Sequence, residues 1–257
     1  IMNLFRQLHD CETSGRLIRV ALIGAGKFGS MFLSQIGLTP GMHLVGVADL
    51  SVKKVLSALI TTGWSEDQIE RKSLETALSR RKTFVTDDAA TLISSSGVDI
   101  VVEATGIPDA GVCHSLAAFH WGKHVVMVNV EADALCGPLL SDRAKSAGVI
   151  YSMAYGDQPS LISEQIDWAR TCGFDVIGAG KGTLYMPEFH FSTPDTVWEY
   201  YGISEKRARN SGMNAKMFNS FLDGTKSGIE MAAVSNACGL MPATGGLTFP
   251  ECEVHQL

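Results

Sequence analysis

Two stretches of this sequence hold residues whose types and spacing could do chemistry. Residues 19–29 read RVALIGAGKFG, with Gly24, Gly26 and Gly29 in the G-x-G-x-x-G spacing between an apolar run and an amphipathic segment. In that context the first glycine makes a tight turn, the second lets backbone approach a pyrophosphate, and the third packs helix on strand. Amides of Lys27, Phe28 and Gly29 at the helix start then face the negative charge. The second stretch is MFNSFLDGTKSGIEMAAV, Met217 to Val234. Taken as one helix, it puts Phe218, Phe221, Leu222, Thr225, Ile229, Ala232 and Ala233 on one side. Asn219, Asp223, Lys226 and Glu230 line another, narrower side. Gly224 and Gly228 lie away from both, and each costs about 1 kcal/mol relative to alanine in a helix. A plain surface helix with an Asp223–Lys226 pair and a site helix with its polar stripe toward a substrate both fit this spacing.

Elements that position these residues are visible around them. An apolar strand, Val20 to Ile23, leads into the glycines, and Phe28, Met31, Phe32 and Ile36 follow at helical intervals. MHLVGVADL supplies a second strand ending in Asp49, twenty residues beyond Gly29. A carboxylate there suits the adenosine ribose hydroxyls. Ser51, Lys53 and Lys54 follow and suit a 2′-phosphate, so NAD and NADP both stay open. VDIVVEATG predicts a buried strand ending in Glu103, Thr105 and Gly106, and HVVMVNVEADAL another, followed by Asn129 and Glu131. With Ala110–Trp121 as a helix between them, these are βαβ units of a parallel, doubly wound sheet whose cofactor crevice lies at the strands' carboxyl ends.

Beyond residue 148 the pattern reads strand, turn and helix, with Asp157 as N-cap, Pro159 in the first turn and Gly173 as the stop. DVIGAGKGT predicts an apolar strand ending at Lys181, and an aromatic-rich stretch then carries His190. The fold class is thus α/β: a Rossmann-type doubly wound parallel sheet over 1–155, then a smaller α+β substrate and dimerisation domain over 156–257. That second domain is expected to be incomplete at its C terminus.

Composition narrows the partners. The 257 residues are 46% hydrophobic and 19% charged, with net charge −6 and no long run of either sign. Binding of nucleic acid through clustered cations is not expected. No apolar run approaches the roughly 18 residues of a membrane helix. The six cysteines form no CxxC pair, and buried free thiols in a reducing cytoplasm are the expectation. The apolar second half suggests a homodimer.

The order of ALIGAGKFG, VVEATG, HVVMVNVEADAL, MAYGDQPS, AGKGT and LDGTKSGIEM resembles the homoserine-dehydrogenase-like NAD(P)-dependent oxidoreductases. Within them it is most similar to the 1-deoxy-D-xylulose 5-phosphate reductoisomerase-like subgroup. Homoserine dehydrogenases typically carry Thr-Ala-Asn-Lys where this sequence has Asn129, Val130, Glu131 and Ala132, and Gly156–Pro159 replace a Gly-Gly-Gly-Ile-Pro segment. The resemblance implies conversion of 1-deoxy-D-xylulose 5-phosphate, a small phosphorylated substrate, to 2-C-methyl-D-erythritol 4-phosphate with NADP(H), or NAD in its place. It makes Lys181 and Lys226 candidates for oxyanion stabilisation and proton donation, and Asp223 a partner for Lys226. Glu131 and Asp157 become candidates for substrate hydroxyls or for Mg²⁺ or Mn²⁺, and His190 and Lys216 weaker ones for the phosphate. Homoserine dehydrogenase or another dehydrogenase of a small polyol or sugar acid is the alternative. A non-catalytic nucleotide-sensing module is the third.

Overall fold

In the computed structural model, which describes residues 3–256, the chain divides into two compact units, Ile1–Ala154 and Tyr155–Leu257. The first unit begins with a helix, α1 (Leu4–Thr13), and the strand β1 (Ile18–Ile23). The glycine turn leads into α2 (Lys27–Ile36), then β2 (Met42–Ala48), α3 (Val52–Thr61), β3 (Ile69–Glu70), α4 (Leu74–Arg80), β4 (Thr83–Thr86) and α5 (Ala89–Ile93). The remainder is β5 (Ile100–Glu103), α6 (Pro108–His120), β6 (His124–Met127), α7 (Val130–Ser146) and β7 (Tyr151–Met153).

The strands form one sheet in the order β3-β4-β2-β1-β5-β6-β7, and every pairing is parallel. Both faces are covered, so the central strands are apolar on both sides. In β1, Ala21 and Ile23 join a core with Leu92, Phe119 and Leu140, while Val20 and Leu22 join one with Leu33, Val55 and Leu59. This alternation follows from the two-residue period of a strand. In α2 the buried face is Gly29, Leu33 and Ile36, whereas Phe28 and Met31 turn outward. The expected strands over 20–23, 42–50, 98–106 and 125–128 all form. The short β3 and β4 were not legible, because two to four residues show no periodicity.

The second unit holds α8 (Gln158–Thr171), α9 (Val197–Tyr200), α10 (Glu205–Asn210), α11 (Ala215–Leu222) and α12 (Thr225–Cys238). Asp157 caps α8, Pro159 sits in its first turn, and Gly173 takes a positive φ just beyond its end. Phe189, Val197, Trp198, Ala208 and Leu222 make a core of its own, with Phe218 against Trp198 at 5.2 Å between ring centroids.

Three expectations need correction. The strand expected over 175–183 finds no ladder partner: the segment is irregular and Ile177 is fully exposed. An apolar pattern does not say whether a neighbouring edge exists. The single helix over 217–234 is two, α11 and α12, because Gly224 sits at φ +85° between them. None of the six thiols is buried; Cys113, Cys172 and Cys252 are exposed and the others are half-buried. Gly224→Ala is expected to cost about 1–2 kcal/mol, since a left-handed residue with a Cβ is strained. The added Cβ would also stand 3.2 Å from the Phe249 ring. A lowered thermal midpoint with unchanged helix content checks this. Among the described residues no helix is long and apolar enough to cross a membrane.

Candidate functional site

Each unit carries its own cluster of candidate residues. In the first, the glycine turn stands at the carboxyl end of β1, between β2 and β5, where the strand order reverses and open parallel sheets bind ligands. Gly24 has φ +102°, and a Cβ there would lie 2.5 Å from the Ala104 carbonyl oxygen. A Cβ on Gly29 would lie 2.3 Å from the carbonyl oxygen of Gly24, so the third glycine closes helix onto turn. Gly26 differs from both. It has an ordinary backbone conformation, and a Cβ there would meet no protein atom within 4 Å. The open side of the turn lies there, at the N-terminus of α2, with Lys27 and Phe28 exposed beside it. This cradle fits a dinucleotide pyrophosphate.

Asp49, just past β2, braces the same turn. Its Oδ2 accepts the Ala25 N–H at 2.9 Å and the Lys54 ammonium at 3.1 Å, and Oδ1 accepts the Ser51 N–H at 3.1 Å. Burial pushes this carboxyl up, but the hydrogen bonds from Ala25, Ser51 and Lys54 together hold it below its ordinary value. Ser51 Oγ caps α3 by accepting the Lys54 N–H. A carboxyl depressed in the fold adds stability that is present above its unfolded value and lost as pH falls through the folded one. Urea midpoints of the wild-type chain should therefore drop below about pH 4. Asp49→Asn should start lower and show a shallower drop.

Glu103 ends β5 with its side chain fully buried. Thr105 Oγ1 donates to its Oε1 at 2.6 Å, and His114 Nδ1 lies 3.3 Å from the same atom, while Oε2 has no partner among the described residues. Gly111 leaves room for this carboxylate, since a Cβ there would stand 3.3 Å from Oε2 and 2.9 Å from Asn129 Nδ2. Asn129 caps α7 by accepting the Ala132 N–H and donates to the Ile107 carbonyl at 2.9 Å. Gly106 takes φ +69° beside open space, and half-buried Glu131 lies in the first turn of α7. Gly24, Gly26, Gly29, Asp49, Glu103, Thr105, Gly106, Asn129 and Glu131 thus share the carboxyl end of one sheet. His114 was missed: a lone histidine within a helix carries no sequence signal.

In the second unit the central feature is an ion pair between Lys181 and Glu230, with the two side chains 14% and 4% exposed. Lys181 comes from the irregular 175–183 segment and Glu230 from α12. The sequence puts Glu230 on the polar stripe, but no motif marks it as a site residue. Asn219, from the same stripe, is also buried; its Nδ2 donates to Asp223 Oδ2 at 2.9 Å and to the Ser192 carbonyl at 3.3 Å. Buried Asn219 Oδ1 and Ser192 Oγ have no partner among the described residues. The break at Gly224 explains why a continuous wheel misjudged the faces: Thr225 and Ala232, expected inward, are exposed, while Asn219 and Glu230 are inside.

Asp223 accepts the Thr225 N–H at 2.8 Å and so anchors the start of α12; half-buried Lys226 lies in that helix's first turn. His190 Nδ1 meets the Asp223 carbonyl at 3.3 Å, and exposed Lys216 begins α11. Asp157 is half-buried and serves as the α8 cap. Among the described residues no three His, Cys, Asp or Glu side chains converge as a ligand set for the Mg²⁺ or Mn²⁺ that the resemblance allows.

A family match spans this second unit. Residues 156–257 match the family described as oxidoreductase DRL, catalytic domain. The 1-deoxy-D-xylulose 5-phosphate reductoisomerase of Pelodictyon phaeoclathratiforme is 32% identical over 116 residues, 44% of this chain and 29% of that protein. A crystal structure of DOX-P reductoisomerase in complex with magnesium superposes with a TM-score of 0.51 at 19% identity, over 87% of this chain and 58% of that one. A homoserine dehydrogenase from Thiobacillus denitrificans gives a TM-score of 0.46 at 18% identity, over 60% of this chain and 33% of that one. The DRL match and the similarity to the Pelodictyon reductoisomerase bear out the resemblance carried by the sequence motifs, and the chain spans about a third of the length of that relative. The DRL match begins at the residue before Asp157 and takes in Lys181, Asn219, Asp223, Lys226 and Glu230.

Proposed function

We propose that the chain belongs to an NADPH-dependent reductoisomerase that converts 1-deoxy-D-xylulose 5-phosphate to 2-C-methyl-D-erythritol 4-phosphate, a step of isoprenoid precursor synthesis. The observation that carries the reading is the buried Lys181–Glu230 pair within the segment that matches an oxidoreductase catalytic domain. A lysine held by a buried carboxylate presents a fixed cation. Such a cation stabilises the oxyanion that develops as the ketose skeleton rearranges and gives a proton to the alkoxide left by reduction. Glu230 orients Lys181 through the ion pair. Orphaned Asn219 Oδ1 and Ser192 Oγ offer positions for substrate hydroxyls. Lys226, Asp157 and Glu131 stay as further candidates for the substrate's polar groups.

The dinucleotide would lie against Gly24, Gly26 and Gly29, with the α2 amides on its pyrophosphate; when bound, its nicotinamide supplies the hydride. NADPH is favoured because the Lys54 ammonium already offsets the charge of Asp49, whose oxygens also accept two amides. A carboxylate so paired repels a 2′-phosphate less, and Lys53 stands exposed in the same helical turn. A cytoplasmic homodimer belongs to the same reading, and light scattering of the purified chain tests the dimer. The deciding experiment follows NADPH absorbance with deoxyxylulose phosphate and, separately, with aspartate semialdehyde. Oxidation with the sugar phosphate alone is expected. Oxidation with the semialdehyde alone would make the protein a homoserine-type dehydrogenase, and cofactor binding with no turnover of either would make it a nucleotide sensor.

A further inference from the structure

At the amino ends of β1, β2 and β5, opposite the glycine turn, the first unit has a cavity of ≈ 580 Å³. Its lining includes Arg16, Arg19, His43, Arg81, Ser96 and Asp99. That volume is in the range of small-ligand sites. Its charge is opposite to that of the chain, which carries −6 in total. Arg19 already saturates the carboxylate of Asp99. Its Nη2 lies 2.6 Å from Oδ1, while its Nε and its own N–H donate to Oδ2 at 3.0 and 2.9 Å. Among the described residues neither Arg16 nor Arg81 pairs with a carboxylate, so two guanidinium charges are left over.

His43 registers the Arg81 charge. Its Nε2 meets the Lys82 carbonyl at 3.0 Å. Burial first, and then the charges of Arg81 and Arg19, hold the imidazole below its ordinary value against the pull of that carbonyl. The charges of Arg81 and Arg19, from two other stretches of the lining, therefore both reach the His43 ring.

Arg81 adds an independent observation. It is the only non-glycine residue at positive φ among the described residues, at +52°, and it occupies the left-handed position that ends α4. Glycine is the usual occupant there, and an L side chain costs about 1 kcal/mol or more. Its Nη2 comes within 3.9 Å of the point where a Cβ on Gly15 would stand, so the side chain reaches across to the loop before β1. Backbone held in such a conformation points to a use for the side chain it carries.

We propose that this cavity is a second ligand site, which binds a small anion of two or more charges through Arg16 and Arg81. Guanidinium groups match the planar, bidentate geometry of phosphate and carboxylate oxygens. The site is separate from the dinucleotide cradle, because the two lie at opposite ends of the same strands.

Titration calorimetry of the full chain with pyrophosphate, and separately with citrate, at matched ionic strength tests this. One saturable site is expected, and the stronger probe tells whether phosphate or carboxylate is preferred. Arg16→Ala and Arg81→Gly should each weaken it at least about tenfold, the loss of one charged hydrogen bond. Dinucleotide affinity should stay unchanged in both. Arg81→Gly relieves the strained backbone, so its thermal midpoint should hold or rise, and loss of the anion cannot then be assigned to unfolding. No saturable heat in the wild-type chain, equal heat in both variants, or displacement of the anion by dinucleotide would each overturn the proposal.

Discussion

Gly26→Ala is expected to fold as the wild-type chain does and to bind dinucleotide about a hundredfold more weakly, roughly 2.7 kcal/mol. The three glycines of the turn look alike in sequence but do different work. Gly24 and Gly29 are confined by protein: their Cβ atoms would stand 2.5 and 2.3 Å from the carbonyl oxygens of Ala104 and Gly24. Alanine at either must move backbone, so the thermal midpoint should fall together with binding. Gly26 is confined by nothing in the chain and has no left-handed backbone to lose. Its missing Cβ leaves space for a ligand, and a methyl group there displaces the pyrophosphate from the α2 amides. Paired melting curves and fluorescence titrations with NADPH separate the two classes. Equal binding by Gly26→Ala and the wild-type chain would mean that the pyrophosphate does not lie over this turn.

Lys181→Met should destabilise the second unit by about 3–5 kcal/mol, because it strands the carboxylate of Glu230 in a dry setting. Glu230 is 4% exposed and Lys181 14%, so water can replace little of what the carboxylate would lose. Removing both charges, in Lys181→Met with Glu230→Leu, should recover most of that stability, since apolar replacements of a buried pair are often neutral or better. The double variant should still oxidise no NADPH with the sugar phosphate, because the fixed cation is gone. This contrast separates the pair's part in holding the unit together from its part in the proposed reaction. Urea unfolding and the absorbance assay give both readouts. A single-variant loss below about 1 kcal/mol, the range of exposed pairs, would show that the pair is solvated and has no privileged role.

Much of the first unit was legible because its signals are local. A glycine turn between strand and helix, Asp49 at a strand end, and apolar runs of four to seven residues carry their own physical reasons. The cap and stop of α8 were legible for the same reason, as Asp157 and Gly173 act on their immediate neighbours. The second unit's core chemistry was not. Lys181 and Glu230 are 49 positions apart, and no periodicity links an irregular segment to one face of a helix. The polar stripe over 219–230 was visible, but its orientation depended on Gly224. The sequence Leu-Asp-Gly-Thr at 222–225 holds a usable sign, since Asp-Gly marks a turn and Asp a helix start. Read so, two helices replace one, and Asp223 becomes a cap before it becomes a catalytic partner. Nothing local marks the cavity around Arg81, because its lining comes from four separate stretches of chain.

The parallel sheet also sets an order of events during synthesis. β1 lies between β2 and β5, and Val20 pairs with Ile100, eighty residues later. At the usual pace of translation, about 5–20 residues per second, β1 waits on the order of ten seconds for its second neighbour. Through that interval its four most buried residues, Val20 to Ile23, line an open edge. The strand that carries the glycine turn is therefore open to wrong partners along that edge until β5 arrives to cover it.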